Sequence, residues 1–226
     1  MALPIRPDRD ARPLINEVTI AAVIFDYDGL IVDSERVEAD LVIEAVAGWG
    51  AEVGYADFGH LFGSVDADHH WEALMNEWCG RTLRELEDYI HARTPEVKEH
   101  LPLLPGVREL IDTARAAGIR VGLGTGNRLE ALKRRLGRHG VFDHFDAIVT
   151  RSEVANGKPA PDIYLEVARR LDVAPEDCLV LEDSVPGSEA ALSAGMRVIV
   201  CPSIVSAHCE FPAAAERVAS LLEVAL

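Results

Sequence analysis

Short apolar runs alternate along most of the chain with longer stretches in which apolar positions recur every three or four residues. The runs lie at about 20–28, 120–124, 147–150, 178–181 and 197–201, and the amphipathic stretches at 107–117, 128–139, 163–171 and 187–194. Strands that are apolar almost throughout are buried on both faces, the habit of a parallel sheet whose connections are helices. The pattern predicts an α/β, doubly wound parallel-sheet (Rossmann-like) core.

Residues 36–102 break that rhythm. Three helical stretches, 37–47, 68–79 and 83–92, follow one another without a strand and are joined by turns bearing Gly48, Gly50 and Gly63. Pro102 and the Pro105-Gly106 turn then bring the chain back to the sheet. The expected organisation is a core of residues 1–35 and 103–226 with an inserted α-helical cap domain at 36–102.

Composition narrows the function classes. A net charge of -16 argues against a nucleic-acid surface, because neutralising phosphates needs clustered Lys and Arg. No apolar run approaches the roughly 20 residues of a membrane span. The charged stretch MALPIRPDRDARPLINEV does not read as a signal peptide. Cys79, Cys178, Cys201 and Cys209 have neither metal-ligand nor redox spacing, so reduced thiols in a cytoplasmic protein are expected.

In a parallel α/β sheet the ligand crevice lies beyond the carboxyl ends of the strands. The first strand runs into Asp26 and Asp28, within FDYDGLIVDSE, and the second into Thr125. A loop after the third carries Lys158, and the fourth ends in Glu182-Asp183. Each has an ordinary structural reading, such as capping the next helix. Together they bring carboxylates, a hydroxyl and a cation to one sheet edge, which suits Mg²⁺ and a phosphoryl group. GLGTGN at 122–127 lacks the third glycine of a dinucleotide fingerprint, and the eight histidines show no zinc spacing.

Four motifs in order carry a resemblance that spans nearly the whole chain: Asp26-Tyr27-Asp28-Gly29 with Asp33-Ser34-Glu35; Thr125; Gly157-Lys158-Pro159-Ala160-Pro161-Asp162; and Leu181-Glu182-Asp183-Ser184. The chain resembles the haloacid dehalogenase superfamily, in its phosphatase and β-phosphoglucomutase-like branch with a helical cap. The resemblance implies that Asp26 is a nucleophile forming an aspartyl-phosphate and Asp28 the general acid. It implies that Thr125 and Lys158 hold the phosphoryl group. Asp183 would bind Mg²⁺ with Asp26 and the Asp28 carbonyl, and Glu182 would contribute directly or through water. An acid at position 28 favours phosphate-ester over carbon–halogen cleavage, since a departing halide needs no proton. Substrate contacts are expected from Gly126, Asn127 and Arg128 and, on the cap, from Glu38, Ser64 and Asp66.

The leading expectation is a Mg²⁺-dependent phosphatase of a small phosphorylated metabolite such as a sugar phosphate, acting as a monomer or weak dimer. A phosphomutase is the alternative. Against it, residues 36–102 carry 14 Asp and Glu but 5 Lys and Arg. Asp66 and Glu38 also stand where mutases of the branch carry Arg and His. A non-catalytic receiver domain is the remote alternative, and it predicts no helical insertion.

Overall fold

The computed structural model describes residues 20–64 and 67–226. Among them the strands are β1 (Ala22–Phe25), β2 (Arg120–Thr125), β3 (Ala147–Thr150), β4 (Cys178–Glu182), β5 (Arg197–Val200) and β6 (Glu216–Arg217). They form one sheet in the order β3-β2-β1-β4-β5-β6, with every neighbouring pair parallel. The doubly wound core expected from the apolar runs is present.

Period-two alternation divides the core cleanly. Val23 and Phe25 of β1 face one side, where α6 (Val107–Ala116) and α7 (Leu129–Arg138) cover them with Ile111, Leu132 and Leu136. Ala22 and Ile24 face the other, under α8 (Asp162–Leu171) and α9 (Val185–Ser193). GLGTGN finds its purpose here. A Cβ on Gly122 would lie 2.5 Å from Val167 Cγ1, so the missing side chain lets α8 close onto β2.

The helical insertion comprises α1 (Ser34–Gly48), α2 (Tyr55–Phe58), α3 (Asp68–Cys79), α4 (Leu83–His91) and α5 (Pro95–Lys98). Its small core sets the buried Phe58 among Val42, Val46, Met75 and Leu86, with partly buried rings around it, the Phe58 ring lying 5.5 Å from that of Trp71 and 6.1 Å from that of Trp78. The chain leaves and re-enters the sheet side by side: Val32 bridges Leu103, and Leu104 N donates to Ile31 O at 2.8 Å.

The chain runs outward from β1 through β2 to β3, then crosses back to place β4 on the other side of β1. This reversal opens a crevice beyond the carboxyl ends of β1 and β4. Asp26 and Asp28 follow one strand there, and Glu182 and Asp183 end the other.

Candidate active site

The turn after β1 fixes the first motif. Gly29 has φ +76, and a methyl group on it would run into the Asp183 carboxylate. Only glycine both adopts that angle readily and admits the acid from β4. Gly29 N donates to Val32 O at 2.9 Å, turning the chain into α1. Ser34 Oγ then donates to Asp28 Oδ1 at 2.5 Å, and Asn127 Nδ2 to Asp28 Oδ2. Asp28 is held from both sides.

Lys158 is buried, and its ammonium donates to Asp26 Oδ1 and, at 2.7 Å, to Glu182 Oε1. Burial opposes the lysine charge, but the two carboxylates outweigh it and raise the Lys158 pKa well above its ordinary value. Burial pushes Asp26 up to about 7 against the pull of Lys158, with Glu182 and Asp28 adding to the rise.

Glu182 is the best satisfied acid of the group. Its Oε1 also accepts Tyr164 Oη at 2.6 Å. Its Oε2 accepts the backbone N–H groups of Asp183 (2.9 Å) and Ser184 (3.0 Å) and the Ser184 hydroxyl (2.9 Å). Burial raises its pKa, but Lys158 and these donors bring it below the usual value. Its lone pairs are largely committed to these donors.

Asp183 is the opposite case. Both carboxylate oxygens are buried without a hydrogen-bond donor. Burial, followed by Glu35, Glu182 and Asp26, pushes its pKa well above normal. Glu35 is likewise buried, with Oε2 unpartnered, and is driven up by burial, Asp28 and Asp26. Asp26, Glu182 and Asp183 each offer an oxygen within 4.8 Å of the others. Hard carboxylate oxygens crowded in this way, those of Asp183 without a donor, fit a hard cation such as Mg²⁺ or Ca²⁺.

Above this floor lies a cleft of about 310 Å³, whose walls include Asp26, Asp28, Lys158, Gly126, Asn127 and, from the insertion, Glu38 and Ser64. Thr125 is buried just beneath, its Oγ1 accepting Asn127 N at 3.1 Å. Of the expected substrate contacts, Arg128 is exposed at the start of α7 and does not line the cleft. Asp66 lies outside the described residues. Lys98, Arg151 and Glu35 also line the cleft, and strand-end reasoning missed all three. Glu35 was visible in the Asp33-Ser34-Glu35 motif, but Lys98 and Arg151 carry no motif.

Residues 20–195 match the haloacid dehalogenase-like hydrolase family. The chain belongs to that family and is a phosphoric monoester hydrolase. It is 33% identical over 209 residues to the putative phosphatase YhcW of Bacillus subtilis, covering 92% of this chain and 94% of that one. It is 34% identical over 187 residues to hexitol phosphatase B of Escherichia coli, covering 81% and 84%. The crystal structure of CbbY from Rhodobacter sphaeroides in complex with phosphate superposes with a TM-score of 0.70 at 31% identity, covering 91% of this chain and 96% of that one. The hydrolase family, together with the helical insertion, displaces the receiver-domain alternative. No helix among the described residues is long and apolar enough to cross a membrane.

Proposed function

We propose that the chain hydrolyses the phosphate ester of a small sugar or sugar alcohol through an aspartyl-phosphate on Asp26, with Mg²⁺ as cofactor. The observation that carries this reading is the pairing of Lys158 with Asp26 beside the donor-free carboxylate of Asp183. Lys158, together with the metal when bound, would let Asp26 stay ionised and attack phosphorus.

Asp26 Oδ attacks phosphorus as the bond to the ester oxygen breaks, and Asp28 gives its proton to that oxygen. Asp28 then removes a proton from the water that attacks the acyl phosphate, releasing inorganic phosphate and restoring Asp26. Lys158 and the Thr125 hydroxyl steady the phosphoryl oxygens. Asp26, the Asp28 carbonyl and Asp183 would hold Mg²⁺, with Glu35 acting on its waters. Mg²⁺ when bound supplies charge stabilisation for the phosphoryl oxygens. Glu182 is assigned to fixing Lys158. Hexitol phosphatase as a relative and hydrophilic groups in the cleft wall, Glu38, Ser64 and Lys98, support a polyhydroxylated leaving group.

We take residues 36–102 as the cap that closes over the substrate. Cys79, Cys178, Cys201 and Cys209 are all free thiols, which suits a reducing cytoplasm, and a monomer or weak dimer is the expected assembly. The test is phosphate release from a panel of hexose and hexitol phosphates with Mg²⁺. An enzyme active on none of them, yet competent with an aryl phosphate, would overturn the substrate class.

A further inference from the structure

Asn127 holds Asp28, and something must hold Asn127. Its carbonyl oxygen Oδ1 accepts Arg135 Nη1 at 3.4 Å, while Nδ2 donates to Asp28 Oδ2 and reaches Thr125 Oγ1 at 3.3 Å. Arg135 Nε in turn donates to Glu99 Oε1 at 3.1 Å, an oxygen that Arg134 Nη2 also engages at 2.9 Å. The Arg135 and Glu99 side chains are only 14% and 19% exposed. Neither lines the cleft.

A carboxamide can turn end for end, and its neighbours decide which end faces which. A guanidinium only donates, so the end of Asn127 that faces Arg135 must be its oxygen. The amide N–H then faces Asp28. Turned over, Asn127 would aim a carbonyl oxygen at Asp28, repelling its carboxylate or drawing off the proton that the acid must give to the leaving oxygen. The Arg135 contact is long for a hydrogen bond, but its sign alone selects the orientation.

We propose that Arg135, anchored by Glu99, is a positioning residue for Asp28: it orients Asn127, whose amide aims the Asp28 carboxyl at the leaving oxygen. The proposal rests on the reading of Asp28 as proton donor. Glu99 belongs to the segment returning from the helical insertion, and it adjoins Lys98, whose ammonium pairs with Glu38 in the cleft wall. Arg135 belongs to α7 of the core. The aim of the acid therefore depends on a contact between the insertion's return segment and the core.

The test compares two esters. Cleavage of a hexitol phosphate needs a proton on the leaving alkoxide, and 4-nitrophenyl phosphate expels a stabilised phenolate that needs none. The measured quantity is kcat/KM, which reports the step up to ester cleavage and not the later hydrolysis of Asp26 phosphate. Arg135→Met keeps the packed stem without donors and should lower kcat/KM about tenfold or more on the hexitol ester and at most about threefold on the aryl ester. Glu99→Gln should act in the same direction, and the double variant should be no worse than Arg135→Met, because both changes break one chain of contacts. Arg135→Lys should recover part of the loss. Parallel losses on both esters, or additive losses in the double variant, would overturn the assignment in favour of a purely structural role. Should Arg135→Met fail to fold, Glu99→Gln and Arg135→Lys carry the same comparison. A parent enzyme that cleaves neither ester would instead overturn the underlying phosphatase reading.

Discussion

Lys158 donates to Glu182 at 2.7 Å, and Glu182 is fully buried while doing so. The lysine thus comes to Asp26 already oriented, and the acid that orients it has few lone pairs left for a metal. Glu182→Gln should lower kcat by about a hundredfold while shifting the Mg²⁺ half-saturation by less than about threefold, since the lost charge belongs to the lysine's anchor. It should also lower stability by about 3 kcal/mol, the usual scale for breaking a buried ion pair. Asp183→Asn should do the reverse at the metal, raising the Mg²⁺ requirement about tenfold or more. Magnesium titrations of the two variants decide the assignment, and a matching shift in both would return Glu182 to the metal.

Asp26→Asn keeps an acceptor for Lys158 but removes the nucleophile. Turnover should fall by at least about a thousandfold with circular dichroism unchanged. Activity within about tenfold of the parent would exclude Asp26 as the attacking group.

Legibility in the sequence followed physical signal. The five long strands announced themselves because sheets buried on both faces need apolar runs. β6 did not, since Glu216 and Arg217 are exposed and two polar residues have no period. The convergence of Asp26, Asp28, Thr125, Lys158, Glu182 and Asp183 was legible because chain segments leaving strand ends at a switch point meet by topology. Glu35 sits on a helix, and only the turn at Gly29 brings it over Asp183. Arg128 and Arg135 make the same point from the other side. The one adjacent to Asn127 in sequence points to solvent, and the one two helical turns on meets its carbonyl. Periodicity locates elements, but it does not say which exposed-looking arginine bends inward.

The pH dependence of stability follows from Asp26. Its pKa is near 3.8 in the unfolded chain and about 7 in the folded, metal-free protein. Between those values the folded state binds a proton that the unfolded state has released, so unfolding free energy falls as pH rises through the window and levels off above it. Glu35 and Asp183 are raised as well and act in the same direction. A divalent cation binds the ionised carboxylates, so it should offset the loss. Thermal denaturation in chelator should show a midpoint that declines from about pH 5 to about pH 7, and added Mg²⁺ should raise the midpoint more at about pH 8 than at about pH 5. Asp183→Asn should flatten both trends. A Mg²⁺ effect independent of pH in the parent would contradict the crowded-carboxylate site.

Release of phosphate, and not its return to the sugar, is the last expectation, and it rests on how the cleft spends its cations. A mutase must seat a bisphosphate, so a second dianionic group needs donors on the side away from Asp26. Lys158 is committed to Asp26 and Glu182, and Lys98 to Glu38. Arg128, a substrate contact expected from the sequence, stays in solvent outside the cleft. Arg151 does line the cleft, with Nη1 given to Val154 O at 2.9 Å. Among the described residues it has no carboxylate within 4.0 Å, so it has charge to offer one anionic or hydroxylated group. One arginine is thin provision for a second phosphate, and the aspartyl-phosphate is left to discharge to water. With a hexose 1-phosphate and Mg²⁺, phosphorus NMR should show inorganic phosphate accumulating without any bisphosphate activator. If adding the bisphosphate instead gave the 6-phosphate with negligible free phosphate, the chain would be a mutase, and Arg151 would be the first residue to replace in locating its second phosphate.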